Sequence, residues 1–323
     1  MDHYEVVKYS IEFYSEWNDF VLNSKNGTFL FYRDFMEYHQ DRFQDNSYMV
    51  YDNHKLVALF PANINGNTVY SHQGLTYGGL ILNSSIKIAG VIQIFKKLLK
   101  IFKDNGIEIV EVKFMPSIYN KIPSDELFYL MSKINAKLVR RELFSVINLG
   151  EPANFTKSRL EGYKRGIKKQ LEISEVNSFR EFWNQILIPN LDFRHKSKPV
   201  HNLNEIEDLK IKFPKNIRQF NVYFKNTIVA GATIFETDNV ARLQYISGNI
   251  DKNILGSLDY LQIYLIKEVF KDKKFFDLGT SRENNLISQG LLFWKEGFGA
   301  RSLTSDVCSI STKNYKLLNH ILV

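Results

Sequence analysis

Three histidines lie in polar segments of the sequence, where an imidazole could act as a general base. His72 follows a predicted strand in SHQGLTYGGL, and His195 and His201 bracket the segment RHKSKPVH. A histidine titrates near neutral pH, so it can accept a proton from an amine under physiological conditions. Each could equally be a solvated loop histidine. No third ligand stands near His195 and His201 at a spacing suited to zinc, so we expect no metal.

A second group of candidates surrounds a strand-to-helix turn in the C-terminal half. The predicted strand YISGN (245–249) passes through IDKNILGS into a helix over 257–271. The first amides of a helix lack intrahelical partners and attract anions. Tyr245 is a candidate acid for the leaving group, or else a core residue. The candidates for binding a cofactor here and in the segments that follow are Tyr245, Ser247, Gly248, Asn249, Lys252, Gly256, Ser257, Asn285 and Lys295.

A basic helix predicted over 156–171 carries the segment GYKRGIKKQ. Lys164 and Lys168 are four residues apart, so they share one helix face. That face would suit the diphosphate of a nucleotide, although a solvated surface is the simpler interpretation. The full set of candidates for substrate binding is Gln73, Tyr77, Lys164, Arg165, Lys168, Lys198, Arg282 and Glu283.

The elements that must position these residues alternate between helical and strand patterns. Helices are predicted over 10–24, 27–43, 86–104, 124–135, 178–187 and 284–296, and strands over 47–52, 55–64, 67–74, 106–114, 138–149, 216–224, 227–236, 241–249 and 274–279. The stretch 190–209 is predicted to be irregular. The order of elements in the first half recurs after EPANFTKS, which predicts a mixed α/β protein with largely antiparallel sheets and domains at 1–150 and 151–323.

The segment QGLLFWKEGFGAR (289–301) predicts a helix that stops at Gly297. Gly297 would take the left-handed conformation common after a helix, and Phe298 would make the hydrophobic contact that accompanies such an end. A last strand, RSLTSDVCSI, follows.

The order strand, turn, long helix, strand and Gly-Phe-terminated helix resembles the GNAT acyltransferase superfamily. The segments SHQGLTYGGL, YKRGIKKQ and GLLFWKEGFGA are similar to FemAB-like proteins, in which two GNAT-type domains follow in tandem. Among these, the chain resembles acyltransferases that act on dTDP-linked 3-amino-3,6-dideoxyhexoses. The resemblance implies two GNAT-like domains, acyl-coenzyme A as co-substrate, and transfer of an acetyl or 3-hydroxybutanoyl group to an amino sugar for surface polysaccharide synthesis.

Two alternatives remain open within this resemblance. One is a FemAB-like aminoacyl transferase that uses charged tRNA, although the sequence lacks the sustained heptads of a coiled-coil arm. The other is a non-catalytic binding protein with a degenerate GNAT turn, since DKNILGS keeps only Gly256 and Ser257 of the family's glycine pattern.

Composition excludes several other classes. The net charge of +7 suits anionic small substrates, and no zinc or RNP-type motif points to nucleic acid. One cysteine, Cys308, rules out an intramolecular disulfide. No signal peptide and no apolar run of about 20 residues is visible, so we expect a cytoplasmic protein without a membrane partner. A homo-oligomer is compatible with the sequence.

Overall fold

The computed structural model describes residues 3–283 and 286–322, without the side chains of Arg194, His195 and Glu283. The chain forms two compact units: residues 1–142 with 304–323, and residues 143–303. The predicted division at residue 150 is therefore displaced by eight residues, and the last segment belongs to the first unit. The reason is strand pairing, since Val307 lies opposite Lys113 in an antiparallel ladder.

The first unit contains two sheets. One has the strand order Tyr4–Lys8, Tyr48–Asp52, Lys55–Phe60 and Ile81–Leu82, all antiparallel. The other has the order 304–311, Ile109–Lys113, Thr68–Tyr70, Asn63–Asn65 and Gln44–Asp45, with a parallel pair between Thr68–Tyr70 and Ile109–Lys113.

The core of the first unit packs around its longest helix, Ile88–Asp104. Val91, Phe95, Leu98 and Phe102 recur at intervals of three and four residues and are buried, which confirms the predicted helix. The other helices are shorter, and the helix predicted over 27–43 is reduced to two short pieces. The remaining helical segments are Ile11–Phe13, Tyr14–Asn23, Phe29–Phe31, Arg33–Glu37, Ser117–Tyr119, Glu126–Met131 and Thr312–His320.

The second unit contains one larger sheet and a hairpin. The order in the sheet is Glu172–Val176, Ile217–Phe224, Thr227–Glu236, Val240–Gly248, Phe275–Thr280 and 143–148. All neighbours are antiparallel except Val240–Gly248 and Phe275–Thr280, which are parallel. Arg282–Glu283 pairs with Leu286–Ile287.

Helices cover the sheet of the second unit. They are Lys157–Lys168, Arg180–Phe182, Trp183–Leu187, Ile188–His195, Leu203–Lys212, Lys252–Leu255, Ser257–Tyr264, Leu265–Val269 and Gln289–Glu296. The stretch predicted to be irregular thus contains two helices. The second begins at a capping box, in which the Asn202 side chain accepts from the Glu205 amide at 2.9 Å and Glu205 accepts from the Asn202 amide at 2.8 Å.

The end of helix Gln289–Glu296 differs from the prediction in one detail. Gly297 keeps a right-handed conformation, and Gly299, with φ of 87°, is the left-handed residue. Phe298 is fully buried against Trp294 and Phe155, with ring centroids 4.8 and 6.4 Å away. The predicted anchoring contact of Phe298 is therefore present. The left-handed residue follows Phe298, at Gly299, instead of preceding it at Gly297.

Candidate active site

The two parallel strands of the second unit separate along their length. Val240–Gly248 and Phe275–Thr280 pair only from Val240 opposite Phe275 to Arg242 opposite Asp277. A bulge beside Thr233 inserts Gln244 into the first strand where the two part. Beyond that point no strand of residues 3–283 and 286–322 pairs with this edge. Backbone groups of the edge can therefore meet a ligand, apart from the Gly248 carbonyl oxygen, which accepts from Asn190.

A cleft of about 1060 Å³ opens where the strands part. Its apolar walls include Leu243, Ile246, Leu258, Leu278 and Trp294. Polar and charged side chains converge on it from four helices and the turn, namely Ser158, Arg159, Arg165, Asn190, Lys252, Asn253, Asp259 and Lys295. A large cleft with apolar walls and a few polar groups is typical of a small-molecule or cofactor site.

Gly256, in the turn predicted to hold a phosphate, packs against helix Lys157–Lys168. Gly256 has φ of 68°, and a Cβ built there would lie 2.1 Å from the carbonyl oxygen of Gly162 in helix Lys157–Lys168. Ser257 is fully buried beside it. Gly256 is therefore needed for close packing of the two helices. The prediction that the amides at Gly256 and Ser257 bind a pyrophosphate stays a prediction.

Two further contacts hold the same helix in place. A Cβ at Gly162 would lie 1.9 Å from the Asp259 carboxylate, and one at Gly166 would lie 2.6 Å from Tyr260. The Arg159 guanidinium donates to Asp259 Oδ1 at 2.6 Å, which pairs the two helices through charge as well as close packing.

We expect Gly256→Ala to destabilise the second unit. The added methyl group meets Gly162 and must adopt a left-handed conformation, so the free energy of unfolding should fall by roughly 1–3 kcal/mol. Urea denaturation measures it. Gly290→Ala is the matched control, because nothing lies within 4 Å of a Cβ at Gly290. Equal stability of the two variants would contradict this packing.

Of the three residues predicted on the basic helix, Arg165 lies in the cleft lining, and Arg159, which was not predicted, joins it. Arg165 and Arg159 line the cleft, whereas Lys164 and Lys168 are exposed and do not belong to its lining. Arg159 is engaged by Asp259, and burial raises the pKa of that carboxyl group. Arg165 is therefore the cation of this helix best placed to bind an anionic group in the cleft, together with Lys252 from the turn.

Lys295 is the buried cation of the cleft. Its ammonium group donates to the carbonyl oxygens of Gly279 at 3.1 Å and Thr280 at 2.6 Å, at the end of the parting strand. Burial lowers the pKa of Lys295 to about 8, against the opposing effect of Asp277. An ammonium group has three N–H donors, so two are occupied here and one remains for a ligand.

Arg242 and Asp277 form a buried ion pair where the strands begin to part. The Asp277 carboxylate, fully buried, also accepts from the Gly279 amide at 2.7 Å. The pair fixes the point at which the cleft opens. A lone aspartate in the apolar strand FFDLG is the sequence signal for this pair, which was not predicted.

His201 and Tyr245 are brought together, but outside the lining of this cleft. The Tyr245 hydroxyl lies 2.7 Å from His201 Nδ1, and the Trp183 ring packs edge-on against Tyr245 at 5.2 Å. Burial raises the pKa of Tyr245 to about 12. Neither side chain is placed as a catalytic group in the cleft, so the predicted roles of His201 and Tyr245 there are not supported.

His72 also departs from its predicted role. It is 3% exposed, takes φ of 74°, and stacks near His39 with the ring centroids 5.3 Å apart. Burial lowers the pKa of His72 to about 3, so it is a poor base at neutral pH. It belongs to the packing of the first unit.

The neighbours of His72 have structural partners too. Tyr77 is buried and donates to Thr28 at 3.1 Å. Gln73 accepts from the Asn63 side chain at 2.9 Å and donates its amide to Asn63 at 2.8 Å. The segment SHQGLTYGGL is thus held by internal hydrogen bonds, and the predicted sugar contacts remain predictions.

The remaining candidates have varied placements. Asn190, missed by the sequence analysis, donates to Ser247 Oγ and to the Gly248 carbonyl oxygen, both at 2.9 Å. The Asn249 side chain accepts from the Asp251 amide at 3.0 Å. Lys198 and Arg282 are exposed outside the cleft lining. Asn285 and the side chains of His195 and Glu283 lie outside the described residues.

The parts of the chain that the structure describes show no cluster of metal ligands and no membrane-spanning helix. Across residues 3–283 and 286–322 no three histidine, cysteine, aspartate or glutamate side chains cluster as metal ligands. No helix in these ranges combines the length and apolar character needed to cross a bilayer.

Comparison with known proteins shows the fold. No family model and no curated protein sequence matches the chain. The structure of FemX matches with a TM-score of 0.66 over 94% of this chain and 96% of that one, at 9% identity. L-PGS from Bacillus licheniformis matches with a TM-score of 0.57 at 13% identity, over 88% and 93% of the two chains.

A tandem GNAT protein from the clavulanic acid biosynthesis pathway, solved without AcCoA, matches with a TM-score of 0.53 at 10% identity, over 96% of this chain and 98% of that one. These matches cover both units. The chain has the tandem GNAT fold of Fem-like proteins. The predicted fold class is confirmed, while identities this low leave activity and substrate to be argued from the site.

Proposed function

We propose that this protein is an N-acyltransferase whose acyl donor binds in the cleft of the second unit. The observation that carries the proposal is the parting of Val240–Gly248 from Phe275–Thr280, which exposes a strand edge beside a buried ammonium group, Lys295. The edge can hydrogen-bond an extended donor, and the ammonium group can stabilise negative charge on its carbonyl oxygen.

The chemistry follows from that arrangement. A neutral amine attacks the donor's carbonyl carbon, and the resulting oxyanion accepts the third N–H of Lys295. Collapse of the tetrahedral intermediate expels the thiolate or alkoxide of the donor, which takes up the proton that the amine loses. The Gly279 and Thr280 carbonyl groups hold Lys295 in position, so its donor is oriented before the reaction begins.

The acceptor we propose is the amine of a nucleotide-linked amino sugar, as the resemblance to dTDP-amino-sugar acyltransferases implies. The product would serve surface polysaccharide synthesis. Acetyl and 3-hydroxybutanoyl groups are the acyl groups to test first, with coenzyme A as carrier.

We propose that cationic side chains beside the turn bind the donor's phosphate. Arg165 and Lys252 both line the cleft at the side of the turn. Each carries a positive charge able to pair with a phosphate oxygen. This departs from the expected position of the pyrophosphate at Gly256.

Arg165→Gln should raise the KM for the acyl donor by roughly tenfold or more with little change in kcat, since it removes a charge-assisted contact made equally before and during reaction. Lys164→Gln is the matched control: it is the adjacent residue of the same helix, equally charged and outside the cleft. If the acceptor's KM rose instead, the assignment of Arg165 to the donor would be wrong.

Charged tRNA is the second candidate donor, favoured by the structural match to FemX over 94% of this chain. An aminoacyl ester ends in an adenosine, which needs no pyrophosphate site. Native mass spectrometry with acetyl-coenzyme A, and separately with an aminoacylated RNA minihelix, distinguishes the donors. Binding of the first alone supports coenzyme A, and binding of the second alone supports aminoacyl transfer. Binding of neither would contradict a donor site in this cleft.

A further inference from the structure

Large exposed apolar side chains lie on the segments that contribute to the cleft lining of the second unit. Three segments that contribute to its lining each carry one or two of them: helix Ile188–His195, the turn around Lys252, and helix Gln289–Glu296. We call this set the apolar rim. Its members are Phe193, Ile250, Ile254, Leu291 and Phe293.

The rim is continuous where two of these segments meet. Asn190 donates to Ser247 Oγ and to the Gly248 carbonyl oxygen, which ties the helix to the end of the strand. Phe193 lies one helical turn after Asn190, and Ile250 lies two residues after Gly248. Both therefore belong to the two segments that the Asn190 contacts bring together at the cleft.

The exposure of the rim is high for side chains of this size. Phe193 is 87% exposed, Ile250 88% and Ile254 67%. Isolated exposed apolar residues are ordinary on protein surfaces, but a group of them around one opening marks an interaction site. The rim is thus expected to meet an apolar environment.

Positive charge accompanies the rim. Lys252 stands between Ile250 and Ile254, and Arg165 lines the same cleft. Lys196 and Lys198 follow the helix of Phe193 and are exposed, and the exposed acids of these segments are Asp192 and Asp251. The chain as a whole carries a net charge of +7. Apolar side chains interleaved with lysines suit an anionic bilayer surface, where the apolar groups enter the acyl region and the cations contact headgroups.

We propose that the apolar rim docks the second unit onto an anionic lipid surface. This differs from the expectation that the protein has no membrane partner. Docking at the interface requires no membrane-spanning helix, because only the side chains of the rim enter the bilayer. Lipid binding and acyl transfer are separate properties of the protein. A protein that fails to bind vesicles could still transfer an acyl group, and the reverse.

Sedimentation of the full chain with vesicles tests the proposal. We expect binding to vesicles of phosphatidylglycerol and phosphatidylcholine and much weaker binding to phosphatidylcholine alone. The double variant Ile250→Ser/Ile254→Ser should lower the partition coefficient by about tenfold or more, since two apolar anchors are lost. Phe193→Ser should act in the same direction.

Ile211→Ser is the matched control, because Ile211 is 77% exposed in the same unit but lies on helix Leu203–Lys212, which contributes no residue to the cleft lining. It should bind vesicles as the wild type does. Absence of binding to anionic vesicles, or equal loss in the control, would overturn the proposal. A concentration-dependent dimer that the rim variants abolish would also overturn it, by showing that a second copy covers the rim.

Discussion

Acidification from pH 7 to pH 4 is expected to lower the free energy of unfolding steeply, through His39 and His72 in the first unit. Both rings are buried. Burial lowers the pKa of His39 to about 4 and that of His72 to about 3, below the value of about 6.5 for an unfolded histidine. Unfolding therefore takes up protons below about pH 6.5. The contribution of the two histidines to the free energy of unfolding is fully present above that pH and decreases as the pH falls below it.

The effect is large because two buried histidines act in the same direction, and a positive charge on His39 further opposes protonation of His72. A pKa unit corresponds to about 1.4 kcal/mol, so at pH 4 each histidine contributes a loss of roughly 3 kcal/mol. The sum approaches the whole stability of many domains. Arg42 further lowers the pKa of His39, and Arg33 further lowers that of His72. Asp41 and Asp45 raise these pKa values, but by less than burial lowers them.

Urea denaturation at pH 7, 6, 5 and 4 measures this slope. The double variant His39→Gln/His72→Gln should flatten the profile, and His54→Gln, at an exposed turn of the same unit, should keep the wild-type slope. NMR titration of the histidine ring protons in the wild-type protein provides an independent measurement. Titration of the His39 and His72 rings near pH 6.5 would contradict the assignment.

Replacing Lys295 by methionine is expected to abolish most activity without loss of stability. Removal of a donor to a developing oxyanion typically lowers kcat by about 10²–10³-fold. The fold itself should tolerate the change, because Lys295 is 4% exposed and its charge is costly to bury. Loss of activity together with retained stability would separate a catalytic role from a structural one.

The pH profile gives a second measurement of the same group. Since the pKa of Lys295 is lowered to about 8, its ammonium group is present below that pH and is lost above it. The wild-type kcat should therefore fall on the alkaline side near pH 8, whereas Lys295→Arg should move that fall to higher pH. An unchanged alkaline limb in Lys295→Arg would exclude Lys295 as its origin.

Local periodicity was enough to predict much of the fold. The apolar spacing of Ile88–Asp104 and the apolar strands Thr227–Glu236 and Phe275–Thr280 follow from short-range patterns, and each appears within two residues of its predicted bounds. The two helices after Leu187 were missed, although Asn202 and Glu205 form a capping box visible in the sequence.

The site was harder to predict because its decisive contacts join distant parts of the chain. A glycine before a helix predicts that another group lies close to its Cα atom, but the sequence does not identify that group. At Gly256 it is the carbonyl group of Gly162. His72 stands in a polar segment, yet it is buried against His39. Lys295 was a candidate by position, but its role depends on carbonyl groups that only the fold brings near it.

Mass spectrometry of reaction products tests the central claim most directly. The wild-type protein and Lys295→Met would be incubated with acetyl-coenzyme A, 3-hydroxybutanoyl-coenzyme A or an aminoacylated minihelix, each with a panel of dTDP-linked amino sugars. We expect the wild type to raise the mass of an acceptor by one acyl group on its amine, and Lys295→Met to lower the rate of that transfer by about 10²-fold or more. Acylation at an equal rate by both proteins, or no acylation with any donor, would contradict it.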